Sequence, residues 1–483
     1  MSRVVVGPFN RVEGDLEVHL DVEDGVVVSA EVSVPLYRGF EQILVGRPLE
    51  DALVMAPRIC GICSVSQSIA AARAIAGFAG VEMPPNGALA PALAHAAENV
   101  ADHLTHFHLF FMPDFARKAY AGAPWHAAIA ERFTAISGTT TAEFLPARAR
   151  LLEIMGAIAG KWPHSLAFRA GGTTRSLDLG DVVRLKAILA DVRAFAEGPL
   201  FGHRLEAIAE LSTLADLDAV AAGPGDFAAF LRLADTLRLA EVGRGPGLVM
   251  SFGAYPGVGP AGAPLFSAGV LDVSTGERSD LAIERIGEDP SRSWLAGEAG
   301  PPGRATTEPD VEREGAYSWA KAPRYGGRTV EVGACARQLV DGAPLAQALV
   351  AAAGGTGVAQ RVILRLVETA RVLVAMERWV DAFARGGSFC AEGTLPTDGS
   401  GVGLVEAARG SLGHWATVRG GRIVRWQIIA PTTWNFSPRD GAGRPGPLEQ
   451  ALEGLVVGDD GARSTMVQHV VRSFDPCMVC TAH

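Results

Sequence analysis

The sequence predicts an α+β fold, mainly helical, with small antiparallel sheets supplied by the N-terminal and C-terminal parts of the chain. Residues 15–22 and 26–34 alternate apolar and polar side chains around Glu23-Asp24-Gly25, the pattern of a hairpin closed by an Asp-Gly turn. Ala416-Thr417-Val418 and Ile423 to Ile429 repeat that pattern around Gly420-Gly421. Between these hairpins, apolar residues recur at helical spacing through most of the chain.

Taken in order, Arg38 to Val45 reads as a short helix, and Ser64 to Phe78, rich in Ala and Ile, as a longer one. Pro91 suits the first turn of the next, where Leu93, Ala97, Val100, Leu104 and Phe107 recur through to about Met112. Helical patterns follow at 142–159, 181–197, 203–214 and 226–241, with a long one from Val358 to Arg385. Stretches around 247–285 read as irregular strands, and Gly300-Pro301-Pro302-Gly303 as an exposed loop. A last helix from Ser464 to Phe474 delivers the tail that begins at Asp475. With informative motifs at both ends and no internal repeat, residues 1–483 are expected to form a single interwoven domain.

Composition narrows the function. The chain has 483 residues, 48% of them hydrophobic, enough for a large core. A formal net charge of -10 lacks the basic footprint of nucleic-acid binding. The uncharged stretch from Gly245 to Leu271 is broken repeatedly by Gly and Pro, so it reads as turns and not as a membrane span. Residues Met1 to Asp15 show no apolar signal-peptide core, and six cysteines in so long a chain do not make a disulfide framework. A cytoplasmic protein is the expectation.

Four of those cysteines fall in two Cys-x-x-Cys pairs, Cys60/Cys63 and Cys477/Cys480. One such pair is compatible with a zinc half-site or a redox couple, and two with a four-cysteine structural zinc site. Structural zinc sites usually draw their pairs from within a few tens of residues, whereas these lie roughly 400 apart. The thiols alone still leave zinc the leading metal. Cys335 and Cys390 stand singly; they read as small buried residues and cannot supply an iron-sulfur cluster, which takes four protein ligands.

The flanking residues change the preference. Arg58-Ile59-Cys60-Gly61-Ile62-Cys63 together with Asp475-Pro476-Cys477-Met478-Val479-Cys480-Thr481-Ala482-His483 resembles the paired signature of the large subunit of nickel-iron hydrogenases. The resemblance extends to Arg11-Val12-Glu13-Gly14, Arg38-Gly39-Phe40-Glu41, Glu406-Ala407-Ala408-Arg409-Gly410 with Gly413-His414-Trp415, and Pro431-Thr432-Thr433-Trp434-Asn435 with Pro438-Arg439-Asp440. These blocks run in the family's order over essentially the whole chain, and they imply the large-subunit fold.

The resemblance implies a nickel-iron centre, with carbonyl and cyanide ligands on iron installed by maturation proteins. Cys60 and Cys477 correspond to terminal nickel ligands, Cys63 and Cys480 to bridges. Soft metals favour thiolates, and a thiolate can bridge two of them. Arg409 corresponds to a cation above the metals that polarises dihydrogen or takes its proton; Cys480 competes for that proton because a guanidinium is a poor base. Asp114 and Asp475 match the acids that orient this arginine, Thr432 a hydroxyl donor to cyanide, and Glu13 the carboxylate that relays the proton. Glu41, His483 and the carbonyl near Ile428 match ligands of a second, hard ion, Mg2+ or iron. With no cysteines left for an electron relay, an iron-sulfur small subunit is implied as partner, in a heterodimer or a dimer of heterodimers.

The chain departs from the usual family pattern in informative places. Gln67 stands where most members have His, and Gln cannot carry a proton. Ile62 and Phe110 stand where smaller residues line the end of a gas tunnel, and could act as a sieve against dioxygen. These resemble the regulatory, hydrogen-sensing branch, which implies slow dihydrogen oxidation, oxygen tolerance and a signalling partner such as a histidine kinase. A respiratory uptake hydrogenase and a non-catalytic zinc protein are the alternatives. Ala408 replaces a usual Pro beside Arg409, and Asp15 a frequent His beside Glu13.

Overall fold

Both predicted hairpins form, and each turn uses two residues of positive φ, the combination that matches the right-handed twist of the flanking strands. Asp24 and Gly25 (φ 49° and 75°) join Glu17–Glu23 to Val26–Ser33, and Gly420 and Gly421 (φ 56° and 72°) join Gly410–Arg419 to Arg422–Ile429. In this computed structural model, residues 2–259, 262–395, 397–457 and 464–483 are described. Ser2–Val6 adds a third antiparallel strand to the first sheet.

The C-terminal sheet also has a third strand, Gly399–Ala407, paired antiparallel to Gly410–Arg419. The sequence reading missed it because Gly399-Ser400-Gly401-Val402-Gly403 is too glycine-rich to read as a strand. Ala408 and Arg409 are left as the turn between these strands, so Arg409 is presented at a hairpin tip. A third sheet, Leu248–Ala254, Phe266–Asp272 and Arg278–Ser279, occupies the stretch expected to hold irregular strands.

The remainder is mainly helical. Two long helices, Pro85–Thr105 and Val358–Asp381, pack against each other and are buried over most of their length. Pro91 lies inside the first of these, and Pro85 takes the first helical position instead, where a missing N–H costs nothing. The helix continues as a π-helical turn, His106–Phe111, and a 3-10 turn, Met112–Asp114. The pattern at 203–214 splits into Leu205–Ala209 and Leu214–Ala221, because Thr213 and Asp216 form a capping box that starts the second helix afresh. Ala334–Val340 and Pro344–Ala353 are two short helices the periodicity did not mark. Among the described residues, no helix is long and apolar enough to cross a membrane.

The glycines of Gly399–Ala407 position the site. At alternate positions, Gly401 and Gly403 turn the same strand face to the Ser64–Ala79 helix. A Cβ on Gly401 would collide with the carbonyl of Ala74, and one on Gly403 with the carbonyl of Ala70. The helix that starts beside Cys63 thus rests backbone to backbone on the strand that leads to Arg409. Gly403→Ala should lower stability by about 1–3 kcal/mol through overpacking. Gly156→Ala, in a helix where an added Cβ meets nothing within 4 Å, should be neutral or stabilising by up to about 1 kcal/mol. Urea midpoints of the two variants check this; equal midpoints would show that the close approach does not matter.

Candidate metal centre

The two Cys-x-x-Cys turns meet. Cys60 follows the 3-10 turn Ala56–Arg58 and Cys63 precedes the Ser64–Ala79 helix, while Cys477 enters the 3-10 turn Met478–Cys480. The Sγ–Sγ distances are 3.5 Å for Cys60–Cys477, 3.2 Å for Cys63–Cys480 and 2.9 Å for Cys477–Cys480, and all four thiols are free. One side chain joins the two turns, and the N-terminal loop is fastened to the second. Arg38 donates from one Nη to the carbonyls of both Ile59 and Val479, the residues just before Cys60 and Cys480. Glu13 pairs with Cys477 in a parallel bridge, its carbonyl taking the N–H of Met478 at 2.7 Å.

Four thiols packed this closely cannot ionise independently. Hydrogen bonds from Cys477, Cys480 and Cys63 hold Cys60 well below the usual thiol range, while burial pushes Cys480 well above it. A cation that replaced the shared protons would relieve this, and metal binding to thiols releases protons for that reason. The donor set is all sulfur and suits soft metals such as nickel and low-valent iron.

Arg409 reaches the centre from its hairpin tip. Its Nη1 lies 2.7 Å from a carboxylate oxygen of Asp102, its Nη2 3.1 Å from Asp475 Oδ1, and its Nε donates to the Asp475 carbonyl at 2.8 Å. Burial disfavours the guanidinium, but Asp102, Asp475 and the nearby thiols outweigh it and raise its pKa well above the ordinary value. Arg409 therefore remains a cation. Asp475 is placed as expected, in left-handed backbone at φ 57°.

Asp114 is not one of the acids that hold Arg409. Its carboxylate pairs with Arg11 and, at 2.5 Å, with Arg472, and these cations together with His469 keep it below the usual range despite burial. Twelve residues separate it from Asp102, about 18 Å along a helix, so it serves a different place. Through Arg11, and through Arg472 donating to Asn10, it pins the loop that carries Glu13. Asp102 was missed because an acid within a buried helix carries no motif; its signal was its helical spacing from His95, Glu98, Asn99 and His106, which gathers polar residues on one face.

A small cavity beside the thiols is lined by Ile62, Cys63, Gln67, Glu98, Asp102 and Arg409, with Thr432, Cys477 and Cys480 across from them. Thr432 Oγ accepts the Cys477 N–H at 3.1 Å, which leaves its hydroxyl proton free to donate. Gln67 is fully buried. Trp426 Nε1–H donates to His414 Nδ1, so His414 Nε2–H donates to Gln67 Oε1 at 2.8 Å, and burial keeps this imidazole neutral, its pKa lowered to about 3. The Gln67 amide nitrogen has no partner among the described residues. Ile62, but not Phe110, is among the residues lining this cavity. Phe110 is half-buried eight residues beyond Asp102, and its carbonyl accepts from Arg11. Glu13 is half-buried, its pKa raised by burial and by Cys60.

The second ion site is met only in part. Glu41 is buried, but its oxygens already accept from Gln427, Thr307 and, at 2.7 Å, the N–H of Ile428. Burial and Glu288 raise its pKa to about 7 against the opposing effect of Lys321. His483 is buried with Nε2 unpartnered, and it too feels Lys321. An ion bound here would have to displace donors from Glu41.

The family profile described as nickel-dependent hydrogenase matches residues 38–151 and 139–483. The chain belongs to this family. Aligned over all of its length and 95% of the relative's, this hydrogenase large subunit is 28% identical to the periplasmic [NiFeSe] hydrogenase large subunit of Desulfomicrobium baculatum. It is 26% identical to the Hydrogenase-2 large chain of Escherichia coli K12, over all of this chain and 97% of that one. The Ni-Fe-Se hydrogenase of D. vulgaris Hildenborough superposes with a TM-score of 0.85 at 28% identity, covering both chains completely. Family membership sets aside the structural zinc alternative.

Within a hydrogenase large subunit the two acids separate by experiment. Asp102→Asn should keep the fold and slow hydrogen–deuterium exchange between dihydrogen and water, because Arg409 loses a counter-charge. Asp114→Asn leaves Arg11 and Arg472 without their shared carboxylate and should destabilise by about 3–5 kcal/mol. Urea unfolding beside exchange rates checks the pair; a stability loss confined to Asp102→Asn would reverse the assignment.

Proposed function

We propose that this chain is the large subunit of a regulatory nickel-iron hydrogenase, which oxidises dihydrogen slowly to two protons and two electrons and reports its presence to a signalling partner. The observation that carries the regulatory reading is Gln67, a non-titrating amide in the cavity beside Cys63 and Cys480 with its nitrogen unpaired. Ile62 in the same cavity adds bulk where gas must pass. Respiratory uptake is the second reading, favoured by relatives such as the quinone-reactive Ni/Fe-hydrogenase large chain of Wolinella succinogenes, 26% identical.

Cys60, Cys63, Cys477 and Cys480 would hold nickel and iron, with carbonyl and cyanide on the iron. When bound, the two metals supply the redox-active centre at which dihydrogen is split. Arg409, kept cationic by Asp102 and Asp475, polarises the molecule instead of accepting its proton. Cys480 takes that proton, and Glu13, against Cys60 and Cys477, carries it away. Thr432 would offer its hydroxyl proton to a cyanide of that centre. Glu41, Ile428 and His483 would hold a Mg2+ or iron ion under the tail. The two electrons leave through an iron-sulfur small subunit, since Cys335 and Cys390 cannot build a relay here. Six free cysteines suit the cytoplasm.

The purified complex should contain nickel and iron in equal amounts and show infrared bands of metal-bound carbonyl and cyanide; their absence from a matured preparation would refute the proposal. Glu13→Gln should retain those bands and slow hydrogen–deuterium exchange by about 10²–10⁴-fold, the usual worth of a positioned proton carrier. Cys480→Ser should prevent assembly of the centre.

Gas access has its own test. Ile62→Val should cost about 0.5–1.5 kcal/mol of stability and quicken inactivation of folded, metal-replete protein under air. Equal inactivation rates in parent and variant would reduce Ile62 to packing.

A further inference from the structure

Arg337, on the Ala334–Val340 helix, is 1% exposed and donates to four groups. Its Nη1 reaches Glu406 Oε2 at 2.7 Å and the Ala407 carbonyl at 2.9 Å. Its Nη2 reaches Glu368 Oε1 at 2.6 Å and the Ala408 carbonyl at 3.0 Å, and its Nε reaches Glu368 Oε2 at 3.0 Å. Ala407 and Ala408 are the two residues before Arg409. Arg337 thus ties both residues to the Ala334–Val340 helix through their carbonyls. Because residue 408 is Ala, no proline ring stiffens this turn.

Glu368 has a second partner. His103 Nε2 lies 3.1 Å from Glu368 Oε1, and since a carboxylate only accepts, that nitrogen carries the proton. His103 follows Asp102 in the chain, and Asp102 holds Arg409 at 2.7 Å. The contacts close a ring running from Arg409 through Asp102, His103, Glu368 and Arg337 to Ala408 and back to Arg409. Arg337 and Glu368 touch none of the four cysteines.

We propose that Arg337 and Glu368 are positioning residues that set the Arg409 guanidinium against Asp102 over the metal centre. Arg337 supplies the planar fork that two carboxylates and two carbonyls require together, a geometry that a lysine ammonium, a compact point charge, does not reproduce. This deepens the proposed function and rests on that reading of Arg409. The pair acts through the hairpin tip, and a displacement of about 1 Å in a reacting group can cost on the order of 10²-fold in rate.

The test is a double-mutant cycle on the complete, partner-bound protein, with Arg337→Lys, Arg409→Lys and both changes together. Nickel and iron content and the infrared bands are recorded for each. Arg337→Lys should retain metals and bands, lower kcat for dihydrogen oxidation by about 10- to 100-fold and leave KM unchanged. In the Arg409→Lys background, the same change should cost nothing further. An equal cost in both backgrounds would overturn the proposal. Should Arg337→Lys lose metal, Glu368→Gln goes through the same cycle, and a loss again matched by lost metal would overturn the proposal. Absence of the infrared bands in the parent would sink the nickel-iron reading, and this inference with it.

Discussion

The structure depends on bringing residue 60 and residue 480 into contact and keeping them there. The Arg38 guanidinium does this by donating to both cysteine turns, and backbone pairing of Glu13 with Cys477 fastens the C-terminal turn to the N-terminal loop. Thiols alone could not hold the arrangement, because four sulfurs so close share protons and resist further ionisation. The scaffold must therefore preform a site whose occupant is needed to neutralise it.

A second constraint follows from burial. Arg337, Arg361, Arg365, Arg409 and Arg472 are all nearly inaccessible, and desolvating a charge is expensive unless it is paired and hydrogen-bonded. Here the expense obtains position. Arg361 takes both oxygens of Glu331, Arg472 pins the Glu13 loop through Asn10, and Arg337 grips the turn below Arg409. The interior is thus cross-linked by fixed ionic geometry between helices and hairpins, so that the Arg409 turn and the Glu13 loop are each held from behind.

Much of this was legible in the sequence, for identifiable reasons. Hairpins announced themselves through Asp24-Gly25 and Gly420-Gly421, and long helices through their apolar period. The cysteine pairs, Glu13, Thr432, Arg409 and Asp475 stood in blocks whose neighbours gave them meaning. Glycines at 401 and 403, by contrast, hid the strand that leads to Arg409 because their purpose is close approach to another backbone. Asp114 was named and Asp102 was not, because a one-dimensional reading cannot tell which helical turn faces the Arg409 tip. Arg38 stood in one of those blocks with no role attached to it, and Arg337 and Glu368 had no local signature at all; their roles exist only once distant segments meet.

The account's central claim is that both ends of the chain close one all-sulfur site around nickel. Nickel-edge X-ray absorption on the assembled protein tests it most directly. The account predicts a coordination shell of four sulfurs with iron as a near second neighbour. A shell dominated by nitrogen and oxygen, or a preparation in which zinc alone occupies the cysteines, would contradict it.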